Sequence, residues 1–200
     1  DYMLSGEISI GCGETKSMSF LSNHIRDFRQ LHPLVQFNIH SAIADDIKER
    51  IERGILDIGL LTEPVDIGKY EFVRMPQKER WGILTRRDSA LAEKDSICPE
   101  DLMGIPLLMV RRELVKNELA SWFGDYYEQI QIASAYNLII NAAAMVKSVV
   151  GVALCFDLGI NYYDDLRFVP LTPVLETGSV LVWKKNQAMS KAITQFIQSI

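Results

Sequence analysis

The sequence predicts an α/β fold, and its opening segments predict parallel strands with helices on the faces of the sheet. Two observations support this prediction: strand-like and helix-like segments alternate along the chain, and several strand-like segments are almost continuously apolar. An alternation of strands and helices favours parallel strands with helices on the faces of the sheet. Strands that are buried on both faces contain apolar runs rather than alternating patterns, and residues 58–61 form such a run.

The first third of the chain predicts a strand–helix–strand–helix–strand order. Its segments are a strand at 6–11, a helix at 17–31, a strand at 35–39, a helix at 43–51 and a strand at 55–61. The strands show alternating or continuous apolar residues, whereas the helices repeat apolar residues every three or four positions. Pro33 ends the first helix, because the residue before a proline avoids the α-helical region. Gly54 follows the second helix, where a left-handed residue is commonly required.

The rest of the chain forms a second α/β series and then returns to the first pattern. Its segments are strands at 72–75, 81–84 and 106–110, a helix at 115–126, a strand at 130–133, a helix at 138–149 and a strand at 151–154. Residues 89–105 predict a loop that contains one short helical turn. Two strands, at 166–171 and 180–183, precede a final amphipathic helix at 189–200. The second series is about as large as the first.

Composition limits the protein to an ordinary globular class. The chain has 200 residues, of which 48 % are hydrophobic and 24 % are charged, and these values exclude long disorder and fibrous folds. No stretch approaches the roughly 18 consecutive apolar residues of a membrane-spanning helix, and the N-terminus has no signal-peptide pattern. Because the first residue is not Met, we expect a fragment of a longer protein.

The charge balance and the cysteines argue against direct nucleic-acid binding and against a disulfide-bonded fold. The formal net charge is −5, with 21 basic against 26 acidic residues, whereas nucleic-acid affinity depends on Lys and Arg side chains that neutralise phosphates. Cys12, Cys98 and Cys155 are odd in number and widely spaced, as in proteins of a reducing compartment. We therefore expect a cytoplasmic protein that does not contact the membrane.

The sequence contains no recognisable catalytic or metal-binding motif. His24, His32 and His40 are the only histidines, and their spacing does not suit a metal site. The segment Gly11-Cys12-Gly13 lacks the later glycine of a dinucleotide-binding loop. We therefore predict a protein that is not an enzyme and that holds no metal or cofactor.

Five motifs in a fixed order resemble those of a known family. They are GEISIG at 6–11, FRQLHPLV at 28–35, GILDIGL at 54–60, the Leu-Ala, Asp-Leu, Gly and Pro-Leu positions within 88–108, and NAAAMVKSVVGVAL at 141–154. Together they resemble the effector-binding domain of LysR-type transcription regulators over essentially the whole chain. The sequence departs from the family at Ser89-Ala90-Leu91 and at Cys155-Phe156, where many members have His-Pro-Leu and Leu-Pro.

The resemblance implies a two-lobed α/β fold of the type 2 periplasmic-binding-protein class. Each lobe would be a mixed sheet flanked by helices, and two crossover strands would join the lobes. Lobe I would comprise residues 1–74 plus 175–200, and lobe II residues 75–174. A small-molecule effector would bind in the cleft between the lobes. The family's N-terminal winged helix-turn-helix domain, through which such a regulator binds DNA, is absent from this chain.

Candidate effector-binding residues follow from the rule that ligands of open α/β sheets bind at the carboxyl ends of the strands. Polar and aromatic residues near the ends of six predicted strands form the expected site: Thr15, Lys16, Ser17, Ser41, Thr62, Arg111, Ser134 and Phe156. The free N–H groups of a helix start attract anions, and a guanidinium at position 111 can bind a carboxylate with two hydrogen bonds. Lys16 and Arg111 therefore favour an anionic effector.

Several of these residues have a plainer structural role as an alternative. Thr15 can cap the helix that follows it, and Thr62 can form the turn before a proline. Lys16 and Arg111 can be solvated surface residues, and Phe156 can be an aromatic residue of the core.

The resemblance also implies how a signal would reach DNA. Effector binding would favour one arrangement of the lobes and change how two domains pair, with the helix at 17–31 of one copy facing the helix at 112–127 of another. A dimer, or a tetramer for the full-length regulator, would then space the DNA-binding domains. The main alternative is a periplasmic-type solute-binding protein for a small anionic metabolite. A redox sensor built on Cys12 and Cys155 would need a low-pKa thiol, which the sequence does not indicate.

Overall fold

The computed structural model of the protein describes residues 3–161 and 163–200, and the chain divides into two compact units. Unit 1 consists of residues 1–77 and 178–200, and unit 2 consists of residues 78–177. The sequence places these boundaries a few residues earlier, at 74/75 and 174/175. Both units are α/β structures, so the predicted fold class is confirmed.

The helices and strands follow the predicted alternation. In chain order they are β1 (Ser5–Cys12), α1 (Ser17–Leu31), β2 (Leu34–Ser41), α2 (Ala44–Glu52), β3 (Ile58–Thr62), β4 (Tyr70–Arg74), β5 (Glu79–Arg86), β6 (Pro106–Val110), α3 (Glu113–Phe123), β7 (Gln131–Tyr136), α4 (Ile139–Lys147), β8 (Val152–Phe156), β9 (Leu166–Pro170), β10 (Glu176–Thr177), β11 (Ser179–Lys184) and α5 (Lys191–Gln198). Short 3-10 helices occupy Ala90–Glu93, Pro99–Leu102 and Gly124–Gln129. Within the described part of the chain, no helix is both long and apolar enough to cross a membrane.

Unit 1 is built on a five-stranded mixed sheet in the order β2-β1-β3-β11-β4. β1 pairs in parallel with β2 and with β3, whereas β11 pairs antiparallel with β3 and with β4. Parallel strands end on the same side of a sheet. The carboxyl ends of β1, β2 and β3 therefore share one edge of unit 1.

Helices cover both faces of the unit 1 sheet. One face packs against α1 and α5 through a core that includes Ile8, Ile10, Leu21, Phe28, Leu60, Leu181 and Phe196. The other face packs against α2 through a core that includes Ile47, Ile51, Leu61, Val180 and Val182. Because successive side chains of a strand point to opposite faces, Leu60 lies on the α1 side of the sheet and Leu61 on the α2 side.

The GILDIGL motif forms the turn from α2 into β3, and three of its residues have physical roles. Gly54 has a φ of +72°, a left-handed conformation that glycine adopts without a steric penalty. The Asp57 carboxylate accepts a hydrogen bond from the Ser9 backbone N–H at 2.9 Å, and the Asp57 N–H donates to the Ser9 carbonyl at 2.9 Å. At Gly59 a Cβ atom would lie 2.9 Å from Ile47, so a larger residue would push α2 away from the sheet.

Unit 2 is built on a six-stranded sheet in which β10, β5, β8, β6 and β7 lie side by side and β9 also pairs with β5. β6 is parallel to β7 and β8, whereas β5 is antiparallel to β8, β9 and β10. The carboxyl ends of β6, β7 and β8 therefore share one edge of unit 2. One core, around Trp81 and Leu119, lies against α3, and a second, around Ala143 and Val146, lies against α4.

Among the element ends of unit 2 that differ from the sequence-based prediction, two have a clear physical cause. The third helix, expected to reach residue 126, ends at Phe123, because Gly124 takes a φ of +58° and the chain continues as a 3-10 helix. β7, expected to end at residue 133, extends to Tyr136, because its backbone stays paired with β6 as far as Val110. Apolar periodicity misses the first change, since Tyr126 remains packed against the core after the helix has ended.

Candidate functional site

One edge of unit 1 gathers the five binding residues predicted for that part of the chain. They are Thr15, Lys16, Ser17, Ser41 and Thr62. Cys12, the last residue of β1, is in register with Ser41 at the end of β2 and with Leu60 near the end of β3. Thr62 ends β3, and the other three predicted residues lie between the turn after β1 and the first residue of α1. The prediction that polar residues of three strands meet at this edge is therefore consistent with the strand pairing.

The start of α1 is buried although its residues are polar. Ser17 is fully buried and Thr15 is 8 % exposed. Lys16 occupies the N-cap position with helical backbone angles, and no side chain caps the helix. The alternative role of Thr15 as a capping residue is therefore wrong. Its hydroxyl oxygen is buried and has no hydrogen-bond partner among the described residues.

Strand β11 adds a residue to this edge that the sequence did not reveal. Ser179 begins β11, is in register with Thr62 of the antiparallel strand β3, and is 1 % exposed. Alternation along the strands places Ser179 with Leu181 and Thr62 with Leu60, on the α1 side of the sheet. The sequence does not mark Ser179, because it begins an apolar run that is buried on both faces of the sheet.

Burial keeps two of the three cysteines in the thiol form. Burial raises the pKa of Cys12, at the end of β1, to about 12. In unit 2, burial raises the pKa of Cys155, and the Asp157 carboxylate raises it further. The third cysteine, Cys98, donates its S–H to the Asp101 carboxylate at 3.2 Å. Because the thiolate is the reactive form, these environments do not support a redox-active pair of Cys12 and Cys155.

Unit 2 has a corresponding edge at the carboxyl ends of β6, β7 and β8. Val110, at the end of β6, is in register with Tyr136, the last residue of β7, and Phe156 ends β8. Arg111 follows β6 and donates its backbone N–H to the Tyr136 carbonyl at 3.1 Å. The Arg111 side chain is exposed, which leaves its guanidinium accessible at this edge.

The two other predicted residues of unit 2 take part in the fold itself. Ser134 lies inside β7, in register with Leu108, and its hydroxyl donates to the Ala135 carbonyl at 3.1 Å. It does not follow the strand, contrary to the sequence-based expectation, because β7 is longer than predicted. The Phe156 ring packs against the Trp81 ring with a centroid distance of 4.5 Å, so the core role considered as an alternative for Phe156 is present.

The buried arginine at this edge is Arg112, which the sequence-based prediction does not include. Arg112 is the N-cap residue of α3 and is 5 % exposed, whereas Arg111 is exposed. A guanidinium stays charged when it is buried, and its burial requires compensating polar groups. Helical periodicity could have identified Arg112, because it precedes Val115 and Leu119 by three and seven positions and so shares the buried face of α3.

These two edges carry groups that suit the binding of oxygen-rich ligands. Unit 1 contributes hydroxyl groups and the ammonium group of Lys16, and unit 2 contributes the guanidinium groups of Arg111 and Arg112. Hydroxyls both donate and accept hydrogen bonds, and cations bind carboxylates strongly. Among residues 3–161 and 163–200, no group of three or more His, Cys, Asp or Glu side chains is arranged to hold a metal ion.

Comparison with known proteins gives a consistent result over the whole chain. A family model described as the LysR substrate binding domain matches residues 3–200. The chain is 26 % identical over 196 residues to YfeR of Shigella flexneri, described as an uncharacterized HTH-type transcriptional regulator, and the match covers 94 % of this chain and 62 % of YfeR. It is 22 % identical over 202 residues to the HTH-type transcriptional regulator TdcA of Escherichia coli K12, with 96 % and 62 % covered. The chain thus spans about three fifths of the length of these relatives.

Solved structures share the fold of this chain. The effector binding domain of QuiR in complex with shikimate has a TM-score of 0.83 at 16 % identity, covering 98 % of this chain and 95 % of that chain. HinK, a LysR family transcriptional regulator from Pseudomonas aeruginosa, has a TM-score of 0.78 at 21 % identity, covering 100 % of this chain and 70 % of that chain. The predicted type 2 periplasmic-binding-protein-like fold is therefore confirmed.

Proposed function

Because the chain belongs to the family of LysR substrate binding domains, we propose that it is the effector-sensing part of a cytoplasmic LysR-type transcription regulator. The observation that carries this proposal is the family match over residues 3–200. A periplasmic-type solute-binding protein is not favoured, because the curated relatives are HTH-type transcriptional regulators. The domain itself performs no catalysis, and DNA is bound by a winged helix-turn-helix domain outside this chain.

The effector is a small, anionic metabolite that carries a carboxylate. Its proposed contacts are the eight residues predicted from the sequence and, in addition, the buried Arg112 at the start of α3. The hydroxyl groups of unit 1 and the two guanidinium groups of unit 2 are the groups that recognise carboxylate and hydroxyl oxygens. Shikimate, bound by the effector domain of QuiR, is an acid of this kind.

Paired alanine variants test whether the strand edges bind the effector. Ser41→Ala removes a hydroxyl at the carboxyl end of β2, whereas Gln36→Ala changes an exposed residue near the other end of the same strand. Arg111→Ala removes a guanidinium at the edge of unit 2, and Lys116→Ala removes a cation one turn into α3. The affinity for small carboxylic acids is measured by titration calorimetry. We expect about 3-fold weaker binding for Ser41→Ala and about 10-fold weaker binding for Arg111→Ala.

The two control variants should bind the same acid with wild-type affinity, since neither lies at a strand end. An affinity that is equal in the wild type and in all four variants would exclude these edges as the effector site. Loss of binding in the controls as well would instead indicate that folding, and not contact with the effector, has changed.

Self-association transmits the effector signal to the DNA-binding domains. The domain forms a dimer, and the full-length regulator a tetramer, in which α1 of one copy lies against α3 of another. α1 ends in the exposed Leu31, and a groove of about 430 Å³ lined by Ile25, Arg26 and neighbouring residues runs along its outer surface. α3 carries Glu113, Lys116 and Glu118, whereas α1 carries two arginines and one aspartate, so the net charges of the two helices have opposite signs. Effector binding shifts the population between arrangements according to its differential affinity for them.

A further inference from the structure

Two buried hydroxyl oxygens of unit 1 lack a hydrogen-bond partner. Among the described residues, Oγ1 of Thr15 and Oγ of Ser179 are buried from solvent and make no hydrogen bond. A buried polar group without a partner costs free energy, and native proteins rarely contain one without a functional or structural reason. By contrast, the buried Thr177 hydroxyl, two positions before Ser179, accepts a hydrogen bond from the Trp81 indole N–H at 3.0 Å.

Both unpartnered hydroxyls belong to the edge where the carboxyl ends of the parallel strands of unit 1 meet. Ser179 lies on the α1 side of the sheet with Leu181, and Thr15 lies in the turn that leads from β1 into α1. The nearby Glu63 carboxylate is paired with the Arg74 guanidinium at 3.4 Å. This ion pair reduces the repulsion that an incoming anion would meet at this edge.

We infer that Ser179 is a further effector-contacting residue, which together with Thr15 binds the oxygen atoms of a hydroxylated carboxylic acid. The inference rests on the proposed effector-binding function and extends it by one residue and by a ligand class. Hydroxyl side chains match such a ligand, because its hydroxyl groups also donate and accept and its carboxylate accepts. Both oxygens are closed off in this conformation, so the ligand reaches them only when the surrounding groups move. In the unliganded domain these two hydroxyls therefore cost free energy, and ligand binding removes this cost by supplying hydrogen-bond partners.

The melting temperature of the unliganded Ser179→Ala variant distinguishes a ligand-contacting role of Ser179 from a structural role. Removing an unsatisfied buried hydroxyl should leave the melting temperature unchanged or raise it by about 2–4 °C. Thr177→Val is the matched control, because it removes a buried hydroxyl that has a partner, and it should lower the melting temperature by about 4 °C. A melting temperature that falls in Ser179→Ala as it does in Thr177→Val would overturn the inference.

Titration calorimetry with two acids tests the contact itself. The probes are shikimate and cyclohexanecarboxylate, a ring acid of similar size without hydroxyl groups. We expect the wild-type chain to prefer shikimate, and Ser179→Ala to bind shikimate about 5-fold more weakly with no change for the other acid.

The outcomes separate this inference from the proposed function. Equal shikimate affinity in the wild type and in Ser179→Ala overturns the contact and leaves the proposed function standing. A wild-type chain that binds carboxylic acids but shows no preference for hydroxylated ones overturns the ligand class. A wild-type chain that binds no acid, amino acid or nucleoside overturns the proposed function, while the melting temperatures still report on Ser179 independently.

Discussion

At the scale of single residues, burial decides the chemistry of the cysteines. Burial raises the pKa of Cys12 to about 12 and raises that of Cys155 as well. A thiol with a raised pKa loses its proton only as the pH approaches that value, so at pH 8 almost none of it is thiolate. Peroxide sensing needs the opposite environment, an accessible thiol with nearby positive charge.

We predict that iodoacetamide at pH 8 alkylates Cys12 and Cys155 in the folded chain at least about 100-fold more slowly than free cysteine. Both should react at the rate of free cysteine once the chain is unfolded in urea, which serves as the control. Mass spectrometry of samples quenched at timed intervals measures the rates residue by residue. Rapid alkylation of either residue in the folded chain would contradict this expectation and bring back the redox-sensor hypothesis.

The sequence predicted which types of residue lie at the strand ends, but it predicted the burial of individual residues only in part. Arg111 and Arg112 are chemically identical neighbours, and only the helical face shared with Val115 distinguishes the buried one. Ser179 could not be identified in this way, because the strand it begins is buried on both faces and therefore has no periodic signal. Burial of such a residue depends on the helices packed against the sheet, which the local sequence does not report.

At the scale of elements, the positions of helices and strands could be predicted more reliably than their ends. β6 occupies residues 106–110 as predicted, because a proline and an apolar run define it. The end of α3 instead depends on the left-handed backbone of Gly124, and the end of β7 depends on its pairing with β6. Apolar periodicity reports which side chains are buried, whereas these ends are set by backbone conformation and by a distant strand.

The helices α1 and α3 lead to a prediction about self-association. Leu31, at the end of α1, is 76 % exposed, and Leu31→Lys places a charge where the proposed dimer would exclude water. We expect the dimer dissociation constant to rise about 10-fold or more in sedimentation velocity measurements. Ile55→Lys is the matched control, since Ile55 is also an exposed apolar residue, at 49 %, but lies between α2 and β3.

Equal dimer dissociation constants for the two variants would remove α1 from the interface. A wild-type chain that stays monomeric at high concentration would contradict dimerisation of this domain by itself.

At the scale of the whole molecule, the motifs predicted the fold and the family because they mark requirements of the fold. Gly54, Asp57 and Gly59 each serve the turn from α2 into β3 through a left-handed backbone, a pair of hydrogen bonds to β1 and close helix packing. None of these three roles involves a ligand. Which effector is bound depends instead on a few side chains at the strand ends, so domains with the same motifs can bind many different effectors.

The most direct test of effector sensing is a thermal-shift screen of the wild-type chain against small carboxylates, amino acids, aromatic acids and nucleosides. A ligand present at 100 times its dissociation constant stabilises a protein by about 2.7 kcal/mol, which corresponds to a rise of about 5–10 °C for a chain of this size. We predict a rise that increases with concentration for at least one carboxylic acid. A melting temperature that no compound in the screen changes would contradict the proposal that this domain senses a small molecule.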